Sequence, residues 1–276
     1  MTRIDLHAHA FSAHTAPKVI ATLLTLAHRA CPGFAPHGDG TLPDLLRAEA
    51  AAGFDRVAVC NIATRPEHHA YMARFLTALR SGAMGEEAAR RVIPCVSLHP
   101  HDPDAAAHLK TLVDLGARMV KLHPYSQNIP LDDPATIRLL ALIRDAGLPV
   151  LCHTGHDVTA GEDDFAGPRR VVNVLDRVPG LRLICAHCAA WRHPETLDLL
   201  LGRPVGVDLA FQPATGVEPI IQRFALEHPL EHLYFGSDWP WASPAEHAAR
   251  IASWGLPQDR LDAILGANAA RLLALP

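Results

Sequence analysis

The chain has 276 residues, of which 49% are hydrophobic, and its formal net charge is −4 at neutral pH. This length and apolar content are sufficient for the core of one large α/β domain and argue against intrinsic disorder. The acidic balance and the lack of a basic run exclude the electrostatic pattern of a nucleic-acid-binding protein. No apolar stretch reaches the ~18–20 residues that a membrane-spanning helix needs.

The N-terminus and the cysteines indicate the compartment. The first residues lead directly into a predicted strand and lack the pattern of a secretory signal. The six cysteines are scattered, as expected for reduced, buried thiols in a cytoplasmic protein. Cys185 and Cys188 have the spacing of a redox or zinc motif. Because no second pair accompanies them, we expect core cysteines on either side of a functional histidine.

Residues 3–11, RIDLHAHAF, alternate between apolar and polar side chains. This period predicts a β-strand with Asp5, His7 and His9 on one face. Imidazoles at positions i and i+2 of a strand lie about 6.5–7 Å apart along it, so both can reach one metal ion beyond the strand end. On a helix the same two side chains would diverge. The alternative is a pair of histidines on an exposed strand.

Apolar strands and helices alternate along the rest of the chain. The further predicted strands are residues 56–62, 92–98, 117–123, 148–153, 181–187, 205–209 and 232–236. The predicted helices are residues 18–30, 42–52, 67–80, 103–115, 132–146, 168–177, 194–201, 217–227, 244–254, 258–265 and 267–275. This order predicts an α/β protein with a parallel sheet.

Eight strand–helix units in roughly 250 residues predict a single (β/α)8 TIM barrel with a few extra C-terminal helices. The competing fold is an open, doubly wound sheet. That fold would show a glycine-rich phosphate-binding turn after an early strand, and the sequence contains none. No linker divides the chain, so we expect residues 1–276 to form one barrel domain.

Polar residues stand where several predicted strands end. His7 and His9 end the first strand, His153 and His187 end the fifth and sixth, and Asp238 follows the eighth. In a barrel these strand ends meet at one rim, where active sites lie. Imidazoles with a carboxylate are typical ligands of Zn²⁺. Each histidine alone could be structural, but their shared position predicts a metal site.

The ordered motifs resemble the amidohydrolase-related family of metal-dependent hydrolases over essentially the whole chain. They are HAH, CHTGH around His153, PGLRLICAH ending at His187, YFGSDWPW around Asp238, and the closing LGANAARLL. The resemblance implies that His7, His9 and His153 bind a divalent metal ion. It implies that His187 is a ligand or polarises the substrate, and that Asp238 binds metal and transfers a proton. We expect one Zn²⁺ ion rather than two.

Lys121 lies in VKLHP at the end of the fourth predicted strand, on the same face as Met119 and His123. Some relatives carry a carboxylated lysine on this strand that bridges two metal ions, so the resemblance makes Lys121 a candidate metal ligand. The alternative is an ammonium group that pairs with Asp238 or binds a substrate carboxylate. Both remain open at the level of the sequence.

Other residues that follow strands closely are expected to line a pocket. The expected substrate-binding residues are Arg65, His123, Tyr125, Trp191 and Arg192, and the further rim candidates are His99, His101, Gln127, His156 and Trp239. The two arginines could each bind a carboxylate in bidentate fashion. Further histidines on or next to predicted helices, such as His68, His69, His228 and His247, are expected at the surface.

The family contains hydrolases of amides, lactones and other esters, and also non-oxidative decarboxylases. In hydrolysis, Asp238 would take the proton from a water whose pKa the metal lowers toward ~7, and His187 or the metal would stabilise the oxyanion. In decarboxylation, the metal and Asp238 would set up protonation of a carbon. We expect hydrolysis of a small molecule. A non-catalytic member would lack a ligand, and none is lost here. A homo-oligomer is compatible with the sequence.

Overall fold

The structure is a computed structural model that describes residues 2–275. Within this range eight parallel strands pair in chain order. They are β1 Ile4–Ala8, β2 Arg56–Cys60, β3 Val92–Val96, β4 Met119–Leu122, β5 Val150–His153, β6 Leu183–Ala186, β7 Gly206–Asp208 and β8 Leu233–Tyr234. The Leu6 amide donates to Phe235 O at 3.0 Å and the Asp238 amide to His7 O at 2.7 Å, which brings the two edges of the sheet together. The predicted TIM barrel is confirmed.

Helices connect the strands and cover the outside of the barrel. They are α1 Ala16–Ala27, α2 Leu42–Ala51, α3 His69–Arg80, α4 Glu86–Arg91, α5 Ala105–Asp114, α6 Pro124–Gln127, α7 Pro134–Asp145, α8 Pro168–Arg177, α9 Thr196–Leu200, α10 Glu218–Glu227, α11 Pro244–Ala252, α12 Gln258–Asp262 and α13 Asn268–Leu272. The sequence did not predict α4 and α6, which have 6 and 4 residues. Both are shorter than the window of about 11 residues in which helical periodicity can be recognised.

The strands are buried on both faces, which explains their near-continuous apolar sequences. Met119, Leu151 and Ile184 belong to a core made almost entirely of strand residues, which fills the inside of the barrel. Their neighbours Val120 and Val150 pack into the layer between strands and helices. All six cysteines are free and buried, as predicted. Among the described residues, no helix is both long and apolar enough to cross a membrane.

A β-bulge in β1 breaks the alternation that the sequence predicts there. Asp5 pairs with Val57 and Ala8 with Val59, so β1 uses three steps where β2 uses two. The extra residue turns one part of the strand over relative to the other. Leu6 faces the barrel interior, and Asp5 borders Glu49 of α2 on the outside. The prediction that Asp5 shares a face with His7 and His9 is therefore wrong.

Asp5 and Glu49 form a fully buried pair of carboxyl groups behind the first strand. The amides of His7 and Ser237 donate to Asp5, at 2.8 and 3.2 Å. Burial raises the pKa of Asp5 to about 7. Burial and the neighbouring Asp5 raise the pKa of Glu49 well above its ordinary value. Neither Glu49 oxygen has a hydrogen-bond partner among the described residues.

We expect Glu49→Gln to reduce the loss in the free energy of unfolding that occurs as the pH rises. An acid with a raised folded-state pKa binds more protons folded than unfolded, so the free energy of unfolding falls as pH rises above about 4.5 toward that pKa. Glutamine cannot lose the proton. In urea titrations the variant should lose less stability than the parent between about pH 5 and about pH 8. The matched control is Glu162→Gln at an exposed glutamate. Equal pH slopes in Glu49→Gln and the parent would contradict the argument.

Two of the four histidines predicted at the surface are buried. His228 is 0% exposed and its Nε2 lies 2.8 Å from Val205 O. His247 is 4% exposed and its Nε2 lies 2.9 Å from Leu209 O. Each ring therefore donates to a carbonyl directly next to one end of β7. The prediction failed because helical periodicity shows which residues share one face of a helix. It does not show which other parts of the chain pack against that face.

Candidate active site

His7, His9 and Asp238 meet at the C-terminal mouth of the barrel, where β1 and β8 end. Asp238 Oδ1 lies 3.2 Å from His7 Nε2 and 3.3 Å from His9 Nε2. The Asp238 side chain is 20% exposed, so it borders the open mouth. Its backbone has φ 58°, a left-handed conformation that non-glycine residues rarely adopt and that clusters at functional sites.

The Nδ1 atoms of His7 and His9 each contact a hydrogen-bond acceptor. His7 Nδ1 lies 2.9 Å from Asp208 Oδ2, and His9 Nδ1 lies 2.9 Å from the carbonyl oxygen of Cys60. A carboxylate and a carbonyl can only accept, so each imidazole donates from Nδ1. The Nε2 atom of each ring then faces Asp238 at the barrel mouth. This arrangement is the one that metal-binding histidines adopt.

His187 follows β6 in a turn with left-handed backbone, at φ 59°. Its Nδ1 lies 3.0 Å from Ala210 O and donates to it, so Nε2 is the ring nitrogen left for a ligand role. The ring centroid is 5.2 Å from that of His7 and 5.0 Å from that of His153. His187 therefore lies between His7 and His153.

Asp208, at the end of β7, is a site residue that the sequence analysis missed. It is fully buried, accepts from His7 Nδ1, and its Oδ1 accepts from the His187 amide at 2.8 Å. The signal was present, because Asp208 ends an apolar strand as His153 does. It was overlooked in the weakest predicted strand.

We expect Asp208→Asn to weaken metal binding by about 10–100-fold, the range typical for groups that orient a ligand histidine. The asparagine amide can point a donor at His7 Nδ1 and so favour the wrong tautomer. The measurement is the Zn²⁺ dissociation constant by chelator competition, with the exposed Asp198→Asn as the matched control. An unchanged constant in Asp208→Asn would show that this carboxylate does not orient His7.

Lys121, the last inward-facing residue of β4, lies in the same centre. It is fully buried, and its Nζ lies 2.8 Å from His7 Nε2. The prediction that Lys121 shares the inner face with Met119 agrees with the position of both side chains.

His153 belongs to a second group of potential ligands rather than to the first. Its ring stacks on that of His123 at a centroid distance of 4.3 Å. Asp157 Oδ2 lies 3.4 Å from His123 Nε2 and 3.5 Å from His153 Nε2. His123, His153 and Asp157 place one ligand atom each within 4.8 Å of one another, as do His7, His9 and Asp238. The sequence placed His153 in a single set with His7 and His9 and did not anticipate Asp157.

Burial favours the neutral form of three of these histidines. It lowers the pKa of His7, His123 and His153 well below 6.5, and neighbouring positive groups lower it further. For Asp238, burial acts to raise the pKa. Its contact with His9 and the positive charge that Lys121 brings close to it outweigh burial, so the pKa lies below the ordinary value. A neutral imidazole and an ionised carboxylate are the forms that bind metal.

Aromatic side chains line the mouth beside His153. The Tyr125 ring lies 5.8 Å from that of His153 and 5.5 Å from that of His156. Trp191 packs against His156 at 5.5 Å, and the exposed Arg192 covers Trp191.

Of three other predicted rim residues, two are exposed and one is buried. Arg65 is exposed before the short turn Pro66–His68, and His101 is exposed after β3. Gln127 is buried and donates to Ala63 O and Leu98 O, so it ties strand ends together.

Fold and site together define a TIM-barrel protein with histidine and aspartate groups at its C-terminal mouth that could hold a metal ion. A sequence model described as amidohydrolase matches residues 4–275. The chain belongs to the amidohydrolase family, and the resemblance seen in the sequence is confirmed. This family includes hydrolases and decarboxylases. A comparison with curated proteins finds no significant match.

Solved structures share the fold over almost the full chain. An uncharacterized TIM-barrel protein from Bordetella bronchiseptica has a TM-score of 0.75 at 20% identity, covering 99% of both chains. A 5-carboxyvanillate decarboxylase from Sphingomonas paucimobilis has a TM-score of 0.67 at 15% identity, covering 100% of this chain and 99% of its own. A probable 2-pyrone-4,6-dicarboxylic acid hydrolase from Acinetobacter baumannii, with citric acid bound, has a TM-score of 0.66 at 17% identity, covering 100% of both chains. At such identities the likeness concerns the fold alone.

Proposed function

We propose that this protein is a metal-dependent hydrolase that cleaves an amide, lactone or other ester bond of a small molecule. One observation carries the proposal. A single oxygen of ionised Asp238 lies within 3.3 Å of the Nε2 atoms of both His7 and His9, whose protons are held on the far side of each ring. Asp238 Oδ1 and the two Nε2 atoms therefore converge as three potential metal ligands. The Nδ1 proton of each histidine points away from them, to Asp208 or to Cys60 O.

The donor set fits a divalent ion. His7, His9 and Asp238 would hold it, with His187 as a further ligand. His153 Nε2 is buried without a hydrogen-bond partner among the described residues, which makes it an additional candidate. Nitrogen and oxygen donors of this kind favour Zn²⁺. When bound, such an ion polarises a carbonyl and lowers the pKa of water toward about 7.

Asp238 and His187 have distinct roles in the proposed reaction. Asp238 is ionised at neutral pH and borders the mouth, so it accepts the proton of the attacking water and returns it to the leaving group. His187 donates from Nδ1 to Ala210 O, which is the arrangement that metal-binding histidines adopt. This favours a ligand role for His187 over direct polarisation of the substrate.

The pocket walls suit a substrate with an unsaturated ring. Tyr125, His123, His156 and Trp191 supply aromatic walls beside His153, and Arg192 lies over Trp191. Arg65, which is exposed after β2, stays a candidate carboxylate contact. The free, buried cysteines support a cytoplasmic location, and a homo-oligomer stays compatible with the sequence.

The test is a substrate screen on protein purified without chelator, with metal analysis in parallel. It includes lactones, pyrone carboxylates, amides and hydroxybenzoic acids. We expect turnover that needs metal and that incorporates one oxygen from isotopically labelled water into the product. Release of CO2 without that oxygen would instead establish the decarboxylase alternative. Full activity after metal removal would refute the metal dependence.

A further inference from the structure

We propose that the Lys121 ammonium and the divalent ion are alternative occupants of one position beside His7. In the metal-free protein Lys121 fills the centre, and it thereby weakens metal binding. The inference rests on the proposed function, because it takes His7, His9 and Asp238 as the metal site.

The contact between Lys121 and His7 makes the two occupants exclusive. Nζ lies 2.8 Å from His7 Nε2. Because Asp208 accepts the Nδ1 proton, Nε2 is the unprotonated nitrogen of His7 and Lys121 is the donor. That nitrogen has one lone pair in the ring plane, which cannot bind a lysine proton and a metal ion together. Metal binding therefore requires Lys121 to leave His7.

The charges around His7 act in the same direction. Lys121 and Asp208 are fully buried. Asp208 contacts His7 Nδ1, whereas Asp238 and Lys121 contact His7 Nε2. The Lys121 ammonium offsets one of the two negative charges that Asp208 and Asp238 bring to the metal-free centre. A divalent ion arriving there meets a positive charge at close range, with little water to screen it. Because the ammonium already compensates negative charge in the metal-free site, we expect a lower affinity for metal than the same site would have without Lys121.

Carboxylation of Lys121 predicts the opposite behaviour. A carbamate would be a negatively charged ligand, and removing it would weaken metal binding. An ammonium is a competitor, and removing it strengthens metal binding. The direction of the change in affinity therefore separates the two states of the same side chain.

The experiment compares Lys121→Met with the parent and with Lys110→Met, whose lysine is 75% exposed on α5. Zn²⁺ affinity is measured by competition with a chromophoric chelator, with and without added bicarbonate. We expect Lys121→Met to bind Zn²⁺ about tenfold more tightly or better, as removal of one buried like charge implies, and Lys110→Met to match the parent. Equal or weaker binding by Lys121→Met would overturn the inference.

Thermal melts give a second readout that does not depend on activity. In chelator, Lys121→Met should melt below the parent because His7 and Asp238 lose their internal cation. Added Zn²⁺ should raise its Tm by more than it raises that of the parent. Lys121→Gln provides the same comparison if the methionine variant does not fold. An equal Zn²⁺-induced shift in variant and parent would overturn the inference.

The failures of the two proposals are distinguishable. If the parent binds Zn²⁺ and Lys121→Met binds it no more tightly, only the competition between Lys121 and metal is wrong. If neither the parent nor the variants bind Zn²⁺, the metal site of the proposed function is wrong, and the inference falls with it.

Discussion

Replacement of Asp238 by asparagine is expected to reduce turnover by about 10²–10⁴-fold, the usual contribution of a general acid–base group. Asparagine has nearly the shape of aspartate, and it tolerates the left-handed backbone at this position. It cannot accept a proton from water. The histidines remain, so metal content should fall far less than turnover.

The measurements are steady-state kinetics on the true substrate and metal content of the same preparation. Asp259→Asn, at an exposed aspartate of α12, is the matched control and should keep parental values. Near-normal turnover of Asp238→Asn would refute the proton-transfer role. Asp238 would then be a ligand or an anchor for the segment after β8, and His187 would be the next base to test.

The double replacement of His7 and His9 by alanine is expected to remove the metal while the barrel stays folded. Both imidazoles point their free nitrogens at Asp238, and the set cannot hold an ion with two ligands lost. Stability of a barrel comes mainly from its core and opposite face. The loss of the His7 contact leaves Asp208 with one partner fewer, at a cost of about 1–3 kcal/mol.

Metal content after dialysis, the circular dichroism spectrum and the Tm check this result. The control is the double alanine variant of His14 and His101, two exposed histidines. It should keep both metal and Tm. Full metal occupancy in the His7 and His9 variant would show that the ion is held elsewhere, with the group of His123, His153 and Asp157 as the first alternative.

The barrel itself could be read from the sequence because its signals are local. Apolar strands such as β5 and amphipathic helices such as α8 reveal themselves within a few consecutive residues. Predicted and observed bounds of α8 coincide at Pro168–Arg177, where a proline starts the helix. Once strands and helices alternate, parallel topology brings every strand end to one rim. That rule located His7, His9, His187 and Asp238 without any knowledge of contacts.

The sequence by itself thus determined the barrel, its family and the rim on which these residues lie. Only the tertiary structure decided which partners each side chain meets. The bulge that turns Asp5 away from His7 needs one extra residue opposite β2, and alternation within β1 cannot show it. His153 meets Asp157, and Lys121 meets His7, through distances between separate strands and loops. Such contacts depend on register and on burial, and neither is a property of one segment of the chain.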